Sequence, residues 1–166
     1  MQLSYDEAKL IAGFILADYE RERVTTLNVL EAIPDGKGDY APDPKSMSAI
    51  KLAFHIVASE WYFLETIHLG APPAKHPEFP DWMASAQDVV AWEKSRMPAQ
   101  IDKVKSLSGE LLSRTITFGE KMKLPAYSML ALMLKHSIHH RGQLSACLRP
   151  MGAKVPSIYG PSADTK

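Results

Sequence analysis

The placement of proline constrains this chain most. Of twelve prolines in 166 residues, only Pro98 falls in the interior of one of four long stretches whose apolar residues recur at helical spacing. The rest cluster in short connections or mark segment ends. The first stretch opens on Ser4-Tyr5-Asp6-Glu7, where Ser4 and Glu7 have capping-box spacing and acids occupy the first turn. Leu10, Phe14, Ile15, Tyr19, Val24, Leu27 and Leu30 follow at roughly helical intervals until Pro34. A second stretch runs from about Ser46 to Gly70, apolar on more than one face, with Pro72 and Pro73 beyond it. A third, more polar one covers about Ser85–Leu112, with Val89, Trp92, Met97, Ile101, Val104 and Leu111 expected inward and a kink or break expected at Pro98.

The stretch TITFGEKMKL, with β-branched residues and a glycine, predicts an extended connection. A fourth helix is expected from Pro125, a favoured first-turn residue, to just before Pro150 and Gly152. The tail from Ala153 should lie across the surface or fray. There is no solenoid-length repeat, no glycine-rich phosphate loop and no strand–helix alternation. The expected fold is all-α, a four-helix bundle spanning residues 1–166 as one domain, with a loop after the first helix long enough for a crossover.

Composition narrows the function classes. With 46% hydrophobic residues the chain can bury a core, and nineteen basic residues balance nineteen acidic ones without a long block of either sign. That argues against a nucleic-acid partner, which calls for a basic surplus. The single Cys147 forbids an internal disulfide and fits a reducing compartment. Asp6, Glu7 and Lys9 precede a run of only eight apolar residues, a poor signal peptide and a worse membrane span. The expectation is a soluble cytoplasmic protein without a membrane partner.

Three of six histidines lie in KHSIHHRGQL, residues 135–144. His136 and His140 are one helical turn apart, on a stripe shared with Met129, Met133, Leu144 and Cys147, so both rings can converge on one point toward the core. Neutral imidazoles there could be satisfied by hydrogen bonds, or by a divalent cation. Position 137 is Ser, so the Glu of an H-E-x-x-H protease is missing. His55, in the most apolar part of the second helix, is a core histidine or a third ligand reaching across the bundle. Three ligands would leave a coordination position open. His139 points about 100° away from His140, His76 lies in a proline-rich loop, and His68 belongs to a lone Glu-x-x-His. Gln143 shares the face of the histidine pair and is a candidate for bonding a ligand or substrate. Arg141 turns away, toward a salt bridge or an interface. Gly142, costly inside a helix, suggests close approach of a backbone or ligand.

His55, the run HSIHHRGQLSACLRPMG and the tail VPSIYGPS together resemble the DinB/YfiT-like superfamily, over essentially the whole chain. The resemblance implies a four-helix bundle in which three histidines bind a divalent metal, commonly zinc or nickel, and often a homodimer. Position by position it assigns the ligands to His55, His136 and His140, with His139 at a non-ligand place. It implies metal-dependent hydrolysis or transfer involving a low-molecular-weight thiol, on a small-molecule substrate. Thiol transfer is expected ahead of hydrolysis, with Gln143 and Arg141 as candidates for positioning substrate. The alternative is a non-catalytic, metal-stabilised dimeric stress or interaction protein, motivated by the many apolar faces of the second helix.

Overall fold

The computed structural model describes residues 3–119 and 122–165. The element order is α1 (Tyr5–Glu31), α2 (Ala49–Leu69), α3 (Ala86–Lys105), α4 (Gly109–Ser113), β1 (Thr115–Phe118), β2 (Met122–Pro125) and α5 (Ala126–Leu148). The chain is therefore mostly helical, with a small antiparallel hairpin that pairs Thr115 with Pro125 and Phe118 with Met122. An all-α fold was expected. The β-branched Thr115, Ile116 and Thr117 instead form a ladder, and Ile116 is fully buried. Glu120 and Lys121 of the predicted extended connection lie outside the described residues.

Local signals set the helix ends. Ser4 and Glu7 form the expected capping box: Ser4 N–H donates to the Glu7 carboxylate at 2.7 Å and Glu7 N–H donates to Ser4 Oγ at 3.2 Å. Ser85 and Asp88 make a second one at the start of α3. Gly70 ends α2 with φ +84°, and the Arg114 guanidinium lies against it, donating to the carbonyls of Ile67 and His68. Arg114 thereby satisfies carbonyls that the helix end leaves unpaired.

The structure selects the buried face of α1 and shortens the third helix. The inward face of α1 is Ala8, Ala12, Leu16, Tyr19, Thr26, Val29 and Leu30, while Leu10 and Phe14 are about three-quarters exposed. Small residues let the neighbouring elements approach closely, so the bulky ones are left outside. α3 runs unbroken through Pro98 but stops at Lys105, short of the expected Leu112. Ser108 then caps the separate short helix α4, in which Leu112 is buried and Leu111 is 40% exposed.

The four long helices pack in the cyclic order α1, α5, α2, α3, so α2 and α5 are direct neighbours. Their apolar residues form two clusters. One gathers Val29 and Leu30 of α1, Ala49–Ala58 of α2, Val89–Trp92 of α3 and Leu144–Leu148 of α5. The other gathers Ala12–Tyr19, Phe63–Ile67, Met97–Val104 and Ala126–Met133 of the same helices. Between these stretches each helix contributes buried polar groups: Thr26, Glu60, Glu93, and Ser137 with Arg141. A polar level thus crosses the interior between two apolar ones.

α2 spends its apolar faces inside the chain. Fourteen of its twenty-one residues are buried, and Phe54 packs edge-on against both Phe79 and Trp92. Its greasiness, offered above as a reason for dimerisation, is therefore accounted for by intrachain packing. The tail also packs rather than fraying, with Ala153, Val155 and Ile158 against the first cluster. Among the described residues, no helix is long and apolar enough to cross a membrane.

Candidate metal centre

His136 and His140 stand on one face of α5, and His55 meets them from α2. His55 Nε2 is 3.3 Å from His136 Nε2 and 3.3 Å from His140 Nε2. One nitrogen from each ring lies within 4.8 Å of the other two. Ligand atoms around a tetrahedral ion with metal–nitrogen bonds of about 2.0–2.1 Å are roughly 3.3–3.4 Å apart, so the spacing suits such an ion.

Gln143 decides the tautomer of His140. Its Oε1 accepts the Nδ1–H of His140 at 2.8 Å, which leaves Nε2 as a lone pair facing the cluster. Its amide nitrogen lies 3.2 Å from His139 Nε2 and donates to it. Protein hydrogen bonds alone then serve the cluster poorly. His55 Nε2 either carries one proton, to be shared between two long contacts, or presents another lone pair to lone pairs. A cation satisfies all three nitrogens together.

The rings of His136 and His55 are also held toward the neutral form, the one that ligates. Burial, reinforced by His140, His55, His139 and His76, pushes His136 down to about 4. Burial first, then His140 and His76, lowers His55 as well. His136 Nδ1 is buried without a partner among the described residues, so no protein bond offsets its desolvation. Phe63 packs edge-on against the His136 ring at 5.8 Å and stacks on Phe118 of the hairpin.

Behind the histidines lies a carboxylate not recognised in the sequence. Glu60 is 1% exposed and accepts hydrogen bonds from Tyr19 Oη–H at 2.9 Å and from Ser137 Oγ–H. Burial raises its pKa to about 7, against the lowering effect of those two bonds. Arg23 and the buried Glu93 form a two-pronged ion pair nearby. The signal for Glu60 was available, since an acid within an apolar helix is rarely buried without partners.

His76 was read as a surface loop residue. It is exposed, yet its Nε2 is 3.5 Å from Ser59 Oγ and its ring lies 4.9 Å from that of Tyr62. It is close enough to disfavour charge on His55 and His136. Ser59, one turn after His55, was the only local hint.

Arg141 does not join the cluster. Only 1% exposed, it pairs with Glu22, donates to Thr26 Oγ1 at 3.3 Å and to Tyr159 Oη at 2.6 Å. Its donors are turned to α1 and the tail, as the salt-bridge reading of Arg141 expected. No other backbone approaches Gly142, since a Cβ there would meet no protein atom within 4 Å beyond its own helix. His139 is exposed and outside the ligand group, His68 lies near the end of α2, and Cys147 is buried with its thiol pushed up by desolvation. Gln143, His140 and Cys147 border a cavity of about 540 Å³.

A mostly helical chain that gathers three histidines from two adjacent helices belongs to a class of metal-compatible helical proteins. The chain belongs to the DinB family, whose family model matches residues 8–165, and so to the DinB/YfiT-like superfamily. It is similar to two uncharacterised Bacillus subtilis (strain 168) proteins. YrdA is 27% identical over 153 residues, covering 90% of this chain and 88% of that protein. YjoA is 29% identical over 150 residues, covering 87% and 94%. The crystal structure of YjoA, described as a DinB-like protein, superposes with a TM-score of 0.72 at 26% identity, over 89% of this chain and 99% of that one. A DinB-like protein from Bacillus cereus ATCC 10987 shares the fold, with a TM-score of 0.73 at 22% identity over 87% and 95%.

Proposed function

We propose that this protein is a four-helix-bundle metalloenzyme of small molecules, holding one divalent ion, zinc or nickel, on His55, His136 and His140. The observation that carries the reading is the convergence of three Nε2 atoms, one of them left as a free lone pair by Gln143. When bound, such an ion supplies Lewis acidity that favours the deprotonated form of a water or thiol near neutral pH.

The chain's own residues do the rest. His55 and His136 stay neutral through burial, and Gln143 orients His140. The Glu60–Ser137–Tyr19 network ties α5 to α2 and α1, fixing the turn that carries His136. The cluster contains three imidazoles and no carboxylate, and Ser137 stands where a helical protease places its base. Thiol transfer is accordingly favoured over hydrolysis: a free thiol, with pKa about 8.5, needs less help than water to become a nucleophile. A low-molecular-weight thiol and an electrophile are the substrates of this reading. The single Cys147 and the absence of a disulfide support a reducing, cytoplasmic setting.

Elemental analysis should find about one zinc, nickel or similar ion per chain, lost in His55→Ala, His136→Ala and His140→Ala and kept in His139→Ala. Turnover that needs both metal and a thiol supports transfer, and metal-dependent ester cleavage without thiol supports hydrolysis. Activity after complete metal removal would sink both.

A second reading, a non-catalytic metal-stabilised homodimer, draws on α1. Tyr5, Leu10 and Phe14 are 58%, 74% and 72% exposed there, an apolar surface on the outside of the helices. Light scattering decides it: a monomer at micromolar concentration counts against this reading, and a metal-bound dimer inert to every thiol and ester offered favours it.

A further inference from the structure

The cavity beside His140 has a lining that selects its ligand. Its walls come from the loop before α2, from the start of α2 and from the last turns of α5. Tyr40, Met47, Leu52, Ala146, Cys147 and Pro150 give it a mainly apolar surface. At about 540 Å³ it falls within the range of small-molecule sites, roughly 300–1,000 Å³.

Lys45 is the only formally charged side chain in that lining. Its ammonium pairs with no carboxylate among the described residues. The neighbouring Asp43 is engaged elsewhere, accepting the backbone N–H of Lys45 at 2.9 Å. Gln143, the polar neighbour on α5, already has both ends of its amide committed to His139 and His140. A ligand entering this cavity therefore meets mainly apolar walls, the polar Ser46, Gln143 and His140, and one cation without a carboxylate partner. A cationic ligand finds no counter-charge there, and a polyanion finds only one.

We propose that the cavity binds a small carboxylic acid with an apolar or aromatic body. The body lies against Tyr40, Met47, Leu52 and the α5 wall, and the carboxylate meets Lys45. The inference deepens the reading of the histidines as a reactive centre, since it names the substrate class held beside them. Its binding step, however, needs no metal.

Isothermal titration with phenylacetate, phenylacetamide and phenethylamine tests it, on the purified protein and again after chelation. Phenylacetate should bind one per chain, about fivefold tighter than the amide, the size of one screened charge contact. Lys45→Gln should abolish that difference while leaving weak binding of both. Ala146→Trp, a change at an exposed α5 position on the cavity wall, should block both probes without altering the circular dichroism spectrum. Equal affinity for acid and amide, preference for the amine, or no binding of any probe would overturn the proposal. So would acid binding that requires metal and ignores Lys45→Gln, which would leave the three-histidine reading standing. Lys45-dependent binding in the chelated protein, together with a zinc titration that shows no site, would support the cavity and remove the metal.

Discussion

The Nδ1–H of His140 donates to Oε1 of Gln143 at 2.8 Å, three residues along the same helix, and so turns the other ring nitrogen toward His55. In the proposed metal centre this contact would orient a ligand without touching the ion. Gln143→Leu should weaken zinc affinity about tenfold to a hundredfold, the usual cost of losing such an outer partner. Competition against a chromophoric chelator measures it. Unchanged affinity would mean that packing alone orients His140.

Two desolvated groups, the half-buried His136 and the buried Glu60, predict opposite pH trends in the metal-free protein. His136 is lowered from 6.5 to about 4, so below pH 6.5 the unfolded chain takes up a proton that the folded one refuses. Its contribution to stability is present above pH 6.5 and lost as pH falls toward 4. Glu60 is raised from 4.5 to about 7, so the folded chain holds a proton that the unfolded one releases. That contribution is present below pH 4.5 and lost as pH rises through 7. Urea midpoints between pH 4.5 and 7.5 should rise with pH more steeply in Glu60→Gln than in the parent. In His136→Gln they should fall with pH. Identical slopes in all three proteins would refute both assignments.

Glycine substitutions should separate close packing from helix propensity. A Cβ at Gly109 would lie 2.0 Å from the carbonyl oxygen of Tyr5, backbone against backbone. Gly109→Ala should therefore cost about 1–3 kcal/mol, as overpacking does. Gly142 lies inside α5, with nothing within 4 Å of a Cβ. Gly142→Ala should add up to about 1 kcal/mol through helix propensity. Chemical denaturation reads both signs.

Arg141 is a structural clasp by its contacts. Its guanidinium lies over the Tyr159 ring at 5.3 Å, and the Tyr159 hydroxyl donates to Glu22 at 3.0 Å. Arg141→Met should destabilise the fold by about 3 kcal/mol, because Glu22 and Thr26 lose a buried partner. The same variant should retain its metal affinity. A selective loss of metal with unchanged urea midpoint would return Arg141 to the site.

Relations within a single helix were legible in the sequence. The capping pair Ser4 and Glu7, and the shared face of His136, His140 and Gln143, follow from a fixed rise and turn per residue. The place of His55 in the second helix left it a core histidine or a third ligand, and the family resemblance assigned it as a ligand. What only the tertiary structure decided depends on neighbours distant in the chain. Apolar spacing in α1 could not say that Ala8 and Ala12 face inward while Leu10 and Phe14 face out, because the choice is made by how closely the neighbouring elements approach. Glu60 acquired its partners from α1 and α5, and Arg141 gained Tyr159 from a tail expected to lie across the surface or fray. The meeting of His55 with His136 and His140 belongs to the same category. Helix geometry places side chains along one axis, and the packing of α2 against α5 decides which of them share a centre.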